Sequence, residues 1–339
     1  MNGVSASTAT ATTAIGNRSP GSGHSGPTPA ADSIGPPIDP SLRARAYVGR
    51  FAPSPTGSLH LGSLVAALGS YLDARHHGGR WLLRMEDLDT SRVVPGCADS
   101  ILRTLEAFGL TWDGEVAWQS RRIDLYRDAI TGLRSKGLTF ECSCSRRLRL
   151  ENEERGYPGT CRDKPAAPTL SSTSTATRFR IDDSVVTIED RFQGTCELAA
   201  RPMGDVVIRR RDGVFAYQLA VVVDDAEQGI TDVVRGADLL SSTAWQVCLQ
   251  RALNVISPTY AHLPLIVEPD GKKLSKSRRS IALDTARINP LLLCALQLLG
   301  QRCTTGLEFE APQSILQFAA KHWDPEPLHG LRSRSALQT

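Results

Sequence analysis

The stretch "RFAPSPTGSLHLGS", Arg50 to Ser63, sets two prolines, two glycines and one histidine between a strand-like run and a long apolar segment. Prolines fix φ and glycines let backbone approach a ligand, so this is a rigid loop delivering something to a helix start. A helix start offers free N–H groups and the positive end of a dipole, which favour an anion such as phosphate. His60 stands there as a possible donor, although a histidine at that position is more often a cap. Far downstream, "KKLSKS", Lys272 to Ser277, follows the turn-like "PDG"; its lysines could clamp phosphates, whereas such a run is usually a solvated turn. A third constellation is "CSCSRRLRLENEERGYPGTC", with Cys142 and Cys144 as C-x-C and Cys161 beyond them. Three thiolates and one further donor satisfy tetrahedral zinc, and residue types alone leave the fourth donor to a water or a distant histidine; three unmetallated thiols are the plainer alternative.

These residues need elements to hold them. "AYVGRFA" is a short β-like run, and Leu61, Leu64, Val65, Leu68 and Leu72 then recur at helical spacing until Gly78-Gly79 ends the pattern. "RWLLRMEDLD" reads as a strand running into acidic residues, which completes the strand, loop, helix, strand opening of a doubly wound α/β fold. Two amphipathic helices follow, around Ile101–Phe108 and Leu125–Leu133, the second stopped by Gly137. From Phe140 to about Arg178 the polar, Ser/Thr/Pro-rich texture marks an insertion. Apolar β-like runs resume at "GDVVIRR" and "FAYQLAVVV"; a helix is expected from about Ser241 to Asn254, and the segment after Ser277 is mostly helical in pattern. Arginines thicken in "SRRLRL" and at Arg209 to Arg211, where they would suit a phosphate backbone or merely solvate a turn.

Composition bounds the rest. The 339 residues carry 39 Lys+Arg against 36 Asp+Glu, a net charge of +3 that permits a nucleic-acid partner without arguing for one. Eight cysteines in a long chain without an apolar leader point to the reducing cytoplasm, and no apolar run reaches membrane-spanning length. Residues 1–44, rich in Ala, Ser, Thr, Gly and Pro, read as a disordered tail; acid-poor up to Asp32, they carry too little basic charge for a transit peptide. Residues 45–284 then form the catalytic domain, with the insertion at about 138–200, and residues 285–339 a short helical C-terminal region.

"HLGS" after a Rossmann-type first strand, with "KLSKS" near the end of the same unit, resembles the HIGH and KMSKS signatures of class I aminoacyl-tRNA synthetases. "GRFAPSPTGSLHLGSL", "RMEDLDTSR", "AYQLAVVVDD" and "ITDVVRGADLL" resemble the glutamyl branch of that class, and together the matching blocks span roughly 46 to 284. Within the branch, Ser63 and the short segment after Ser277 are similar to the shortened paralogues that glutamylate queuosine in the anticodon of tRNA(Asp). The resemblance implies a class I Rossmann-like doubly wound parallel sheet with a zinc-bearing insertion, acting on L-glutamate, ATP with Mg²⁺, and queuosine-carrying tRNA(Asp), as a monomer. It places Arg50, Phe51, Ala52, Pro53, Ser54, Glu86, Tyr217 and Arg235 around glutamate, and His60, Gly62 and Lys276 at ATP. His60, Lys273 and Lys276 would stabilise charge at the α-phosphorus, and no protein ligand is assigned to Mg²⁺. It also supplies Tyr157 as the fourth ligand beside Cys142, Cys144 and Cys161 for one structural zinc per chain. The rival expectations are a truncated glutamyl-tRNA synthetase charging the tRNA 3′ end and a catalytically silent RNA-binding scaffold.

Overall fold

The computed structural model describes residues 46–144, 157–164, 175–182, 185–268 and 282–336. The expected tail, 1–44, lies outside these residues. The chain opens with β1 (Val48–Phe51), α1 (Leu61–His76), β2 (Arg80–Met85), α2 (Cys97–Ala107), β3 (Ala117–Trp118) and α3 (Ile123–Ser135). The three strands form a parallel sheet in the order β1-β2-β3. Next come β4 (Thr139–Cys142), β5 (Ala176–Phe179), the hairpin β6 (Val185–Asp190) and β7 (Gly194–Ala199), and β8 (Val206–Arg209); β4, β5 and β8 make a small antiparallel sheet.

The second half contains α4 (Tyr217–Glu227), β9 (Asp232–Gly236), α5 (Leu240–Leu253), β10 (Thr259–Leu263) and β11 (Leu265–Val267). It closes with α6 (Ile288–Leu298), α7 (Pro312–Lys321) and β12 (Ser333–Ser335). Strand β10 is parallel to β9 on one side and meets β6 on the other through Tyr260 and Asp190. Thr231, just ahead of β9, helps join the halves: it donates its N–H to the Val48 carbonyl (2.9 Å) and accepts the Val48 N–H at Oγ1 (2.8 Å). The two strands therefore start side by side, and β1 pairs onward with β2 while β9 pairs with β10, so the strand order reverses between them. Such a reversal is where open α/β sheets form the crevice that holds ligands.

Strand residues alternate between two cores. Trp81, Leu83, Met85, Val234, Ala261 and Leu263 enter a cluster with α1, α2, α6 and α7. Val48, Val233 and Tyr260 enter another with α3, α4 and α5. A period of two that feeds two clusters means helices on both faces.

Helices α1, α2, α3, α5, α6 and α7 lie where apolar spacing predicts them. "FAYQLAVVV" is a correction, since Tyr217–Glu227 is helix α4 and not a strand. Leu219 through Asp225 are all buried, so no polar face exposes the 3.6-residue period, and the consecutive valines mimic a buried strand. The C-terminal segment carries α6 and α7 and also contributes β12, which pairs in parallel with β11.

Candidate active site

Arg50, one residue before the end of β1, is 4% exposed and donates from Nε to Asp225 Oδ1 at 3.2 Å. Arg84 of β2 is wholly buried; its Nη2 lies 2.8 Å from Asp225 Oδ1 and its Nη1 donates to Gln228 Oε1 at 2.6 Å. The adjacent Asp224 accepts from Arg122 Nε (2.6 Å), Gln119 Nε2 (2.8 Å) and the Tyr126 hydroxyl (2.8 Å). Neighbouring carboxylates on α4 thus divide the work: Asp224 ties α4 to α3, and Asp225 fixes the two buried arginines. Burial alone would push the Asp225 carboxyl up, but Arg50 and Arg84 outweigh it and hold the group below its ordinary range.

Glu86, just past β2, is anchored through its own N–H, which donates to the Pro53 carbonyl at 3.0 Å. Its buried Oε1 has no hydrogen-bond partner among the described residues; the nearest cation, Arg84 Nη2, stands 3.7 Å away. Burial pushes this carboxyl up to about 7, against the pull of Arg84 and Arg50. An orphaned acceptor in a cationic surround is the arrangement an ammonium group would complete.

Tyr217 is the first residue of α4, and burial raises its phenol above its ordinary range. Its hydroxyl lies 3.5 Å from Arg235 Nη1. Arg235, on β9 and 6% exposed, donates from Nε to His262 Nε2 (3.1 Å) and from Nη2 to Thr243 Oγ1 (2.8 Å) and Gln246 Oε1 (2.7 Å). Arg50 and Arg235 are therefore interior groups and not surface charges. Along the loop after β1, Phe51 and Ala52 are half-buried, Pro53 is buried and Ser54 is exposed; Phe51 stacks on Trp81.

His60 is the N-cap of α1: its Nδ1 accepts the Ser63 N–H at 3.2 Å. Accepting at Nδ1 leaves Nε2–H as the ring donor, so capping and donation to an anion use different nitrogens. Gly62 lies in the first turn of the same helix. Lys273 and Lys276 fall outside the described residues. The segment that carries them leaves from β11 and re-emerges beside the histidine, where the Leu283 N–H donates to the Leu59 carbonyl at 3.0 Å.

In the insertion, the Cys142, Cys144 and Cys161 sulfurs all lie within 4.8 Å of one another. The Tyr157 hydroxyl is 3.5 Å from Cys142 Sγ and 3.9 Å from Cys144 Sγ, and it accepts the Cys161 N–H at 2.9 Å. Three soft sulfurs and an oxygen gathered at one point fit a tetrahedral zinc donor set. Burial would raise the Cys161 thiol, but hydrogen bonds from the Ser143 backbone, Cys144 and Tyr157 outweigh it and hold it at about 6. Gly204 makes room for the cluster, since a Cβ there would lie 2.3 Å from the Tyr157 backbone nitrogen. The Arg178 guanidinium covers the Tyr157 ring at 3.8 Å.

Of the basic triplet, Arg210 is paired with Asp89 and Asp212, and Arg211 donates to the Cys144 carbonyl at 2.7 Å. Arg210 thus reaches the loop after β2, and Arg211 reaches the cysteine cluster. Four of the other five cysteines are buried, as small apolar residues should be, but Cys303 is exposed. Among the described residues no helix is long and apolar enough to cross a membrane. Sequence reasoning missed Arg84, Asp190, Asp225 and His262. The only signals were charges interrupting apolar runs, "WLLRM", "VVVDD" and "AHLPL".

Residues 47–317 match the family of class I (E and Q) tRNA synthetase catalytic domains. A glutamyl-Q tRNA(Asp) synthetase of Ectopseudomonas mendocina (strain ymp) is 54% identical over 280 residues, 82% of this chain and 94% of its own. That of Pseudomonas entomophila (strain L48) is 50% identical over 281 residues, 83% and 94% of the two chains. A glutamate tRNA ligase from Elizabethkingia meningosepticum CCUG26117, crystallised in complex with its amino acid, superposes with a TM-score of 0.73 at 27% identity, covering 86% of this chain and 67% of its own. With its crevice at the sheet centre and these relatives across most of its length, the chain belongs to the class I (E and Q) tRNA synthetases, in the glutamyl-Q tRNA(Asp) synthetase branch.

Proposed function

We propose that the crevice activates L-glutamate with ATP, without tRNA, and that the glutamyl group passes to queuosine at the first anticodon position of tRNA(Asp). The observation that carries this reading is Glu86 Oε1, a buried acceptor without a partner among the described residues, in a crevice that also holds the buried cations Arg50 and Arg235. Glutamate supplies the complement: an ammonium for Glu86 and two carboxylates for the guanidiniums. Tyr217 orients the amino acid from the start of α4, and Phe51, Ala52, Pro53 and Ser54 line the approach from β1.

The α-carboxylate oxygen attacks the α-phosphorus of ATP, the P–O bond to the β-phosphate breaks, and pyrophosphate leaves. His60, the first turn of α1 at Gly62, and Lys273 and Lys276 stabilise the negative charge gathering on the phosphate oxygens. Mg²⁺ arrives with ATP as part of that substrate. A hydroxyl of the queuosine cyclopentenediol then attacks the glutamyl carbonyl, loses its proton, and displaces AMP. Cys142, Cys144, Tyr157 and Cys161 would hold a zinc ion that cross-links the insertion and supplies no step of the chemistry. The relatives' shared name supports the RNA acceptor.

The test is incorporation of labelled glutamate, with ATP, into tRNA from queuosine-containing and queuosine-deficient cells. Labelling confined to the first pool is the expected result. Equal labelling of both pools would favour 3′-end charging, and labelling of neither would favour a scaffold or an acceptor that the resemblance does not predict.

A further inference from the structure

Arg235 has five N–H donors, and the structure accounts for most of them before any substrate arrives. Nη2 is held by Thr243 Oγ1 and Gln246 Oε1. Both acceptors have partners of their own: the Thr243 hydroxyl donates to the Leu239 carbonyl (3.0 Å) and its Oγ1 also lies 3.3 Å from His262 Nε2, while the Gln246 amide nitrogen donates to Gln218 Oε1 (2.8 Å). Nε donates to His262 Nε2, which leaves Nη1, beside Tyr217, as the end presented to a ligand.

For His262 Nε2 to accept, the ring must be neutral with its proton on Nδ1. Asp190 imposes this tautomer. Its Oδ2 accepts the Nδ1–H at 2.5 Å, while Oδ1 accepts the N–H groups of Phe192 (3.0 Å), Gln193 (2.8 Å) and His262 (3.1 Å). Both side chains are fully buried. Burial and the neighbouring Arg235 disfavour the imidazolium more than Asp190 favours it, so the ring's pKa lies below its ordinary value. The Tyr260 ring stacks on the imidazole with centroids 6.0 Å apart. Asp190 is also the residue through which the β6-β7 hairpin meets β10.

We infer that Asp190 and His262 form a positioning pair for the glutamate site: by fixing the His262 tautomer, Asp190 makes Nε2 the acceptor that holds Arg235 with Nη1 toward the amino acid. This rests on Arg235 binding glutamate, as proposed above.

Asp190→Asn separates a tautomer effect from a packing one. The amide oxygen can keep the three backbone donors, while its NH₂ must donate to Nδ1; Nε2 then carries the proton and faces the Arg235 Nε–H, donor against donor. Glutamate-dependent ATP–pyrophosphate exchange is measured across both substrates for the parent, Asp190→Asn, His262→Gln and His262→Asn. The glutamate KM is expected to rise about 10- to 100-fold in Asp190→Asn and His262→Asn, with the ATP KM little changed. His262→Gln, which can place an amide oxygen where Nε2 stood, is expected to stay close to the parent. Nitrogen-15 imidazole spectra should show the proton on Nδ1 in the parent and on Nε2 in Asp190→Asn. Equal rises in both KM values, an unchanged glutamate KM in Asp190→Asn, or an unchanged tautomer would overturn the inference. If Asp190→Asn does not fold, equivalent behaviour of the two His262 variants overturns it. A parent enzyme without glutamate-dependent exchange would refute the proposed function itself, whereas a normal parent with a normal Asp190→Asn refutes only the positioning role.

Discussion

Glu86 is where the site's chemistry depends most directly on protonation. Its carboxyl sits at about 7 because burial disfavours the charge more than Arg50 and Arg84 restore it. Only the ionised form attracts an ammonium, so under the role proposed for Glu86 glutamate binding weakens as the pH falls below that value. The expected result is a glutamate KM that climbs by up to about tenfold per pH unit between about pH 7 and pH 5. Glu86→Gln should remove this dependence and raise the KM by about 10- to 100-fold at about pH 8, read by pyrophosphate exchange. Glu86, Arg50, Tyr217 and Arg235 could be proposed from the sequence because each sits in a short run resembling a family signature. Asp225 and Asp190 could not, because their meaning lies in partners 175 and 72 residues away, Arg50 and His262.

At the scale of elements, α3 was readable because a polar face exposes the period, with Tyr126, Ile130 and Leu133 turned inward, and α1 because Leu61, Leu64, Leu68 and Leu72 keep helical spacing although most of the helix is buried. Helix α4 was not, because burial on all sides erased that signal. Strand β12 was invisible for a different reason: "SRS" has no apolar face, and its pairing with Leu265–Val267 is a tertiary fact. That pairing, with the Arg332 carbonyl accepting the Leu265 N–H at 3.0 Å, braces the strand from which the lysine-bearing segment departs. Deleting residues 331–339 is expected to raise the ATP KM severalfold while the glutamate KM changes little, since Arg50, Glu86 and Arg235 lie on other elements. Steady-state exchange kinetics on the truncated chain would check this; a matched rise in both constants would count against it.

Across the molecule, Asp73 gathers distant parts at one buried carboxylate. It accepts from Tyr47 Oη (2.5 Å), from Arg191 Nη1 (2.7 Å) and Nη2 (2.8 Å), and from Trp323 Nε1 (3.0 Å). Arg191 outweighs burial and keeps this carboxyl below its ordinary range. Asp73→Ala leaves the arginine, phenol and indole without their acceptor and should cost about 3–5 kcal/mol of stability, visible as a lowered Tm. The seam at Thr231 has a consequence of another kind, in the order of assembly. Val48 meets its partner only 183 positions further along the chain, and the last groups that shape the crevice, up to His262, come later still. A ribosome that has made only the first parallel strands has therefore made no binding site. The emerging chain must wait with β1's open edge exposed, and the slow closure expected of long-range strand pairing makes that interval the one in which a chaperone would be needed.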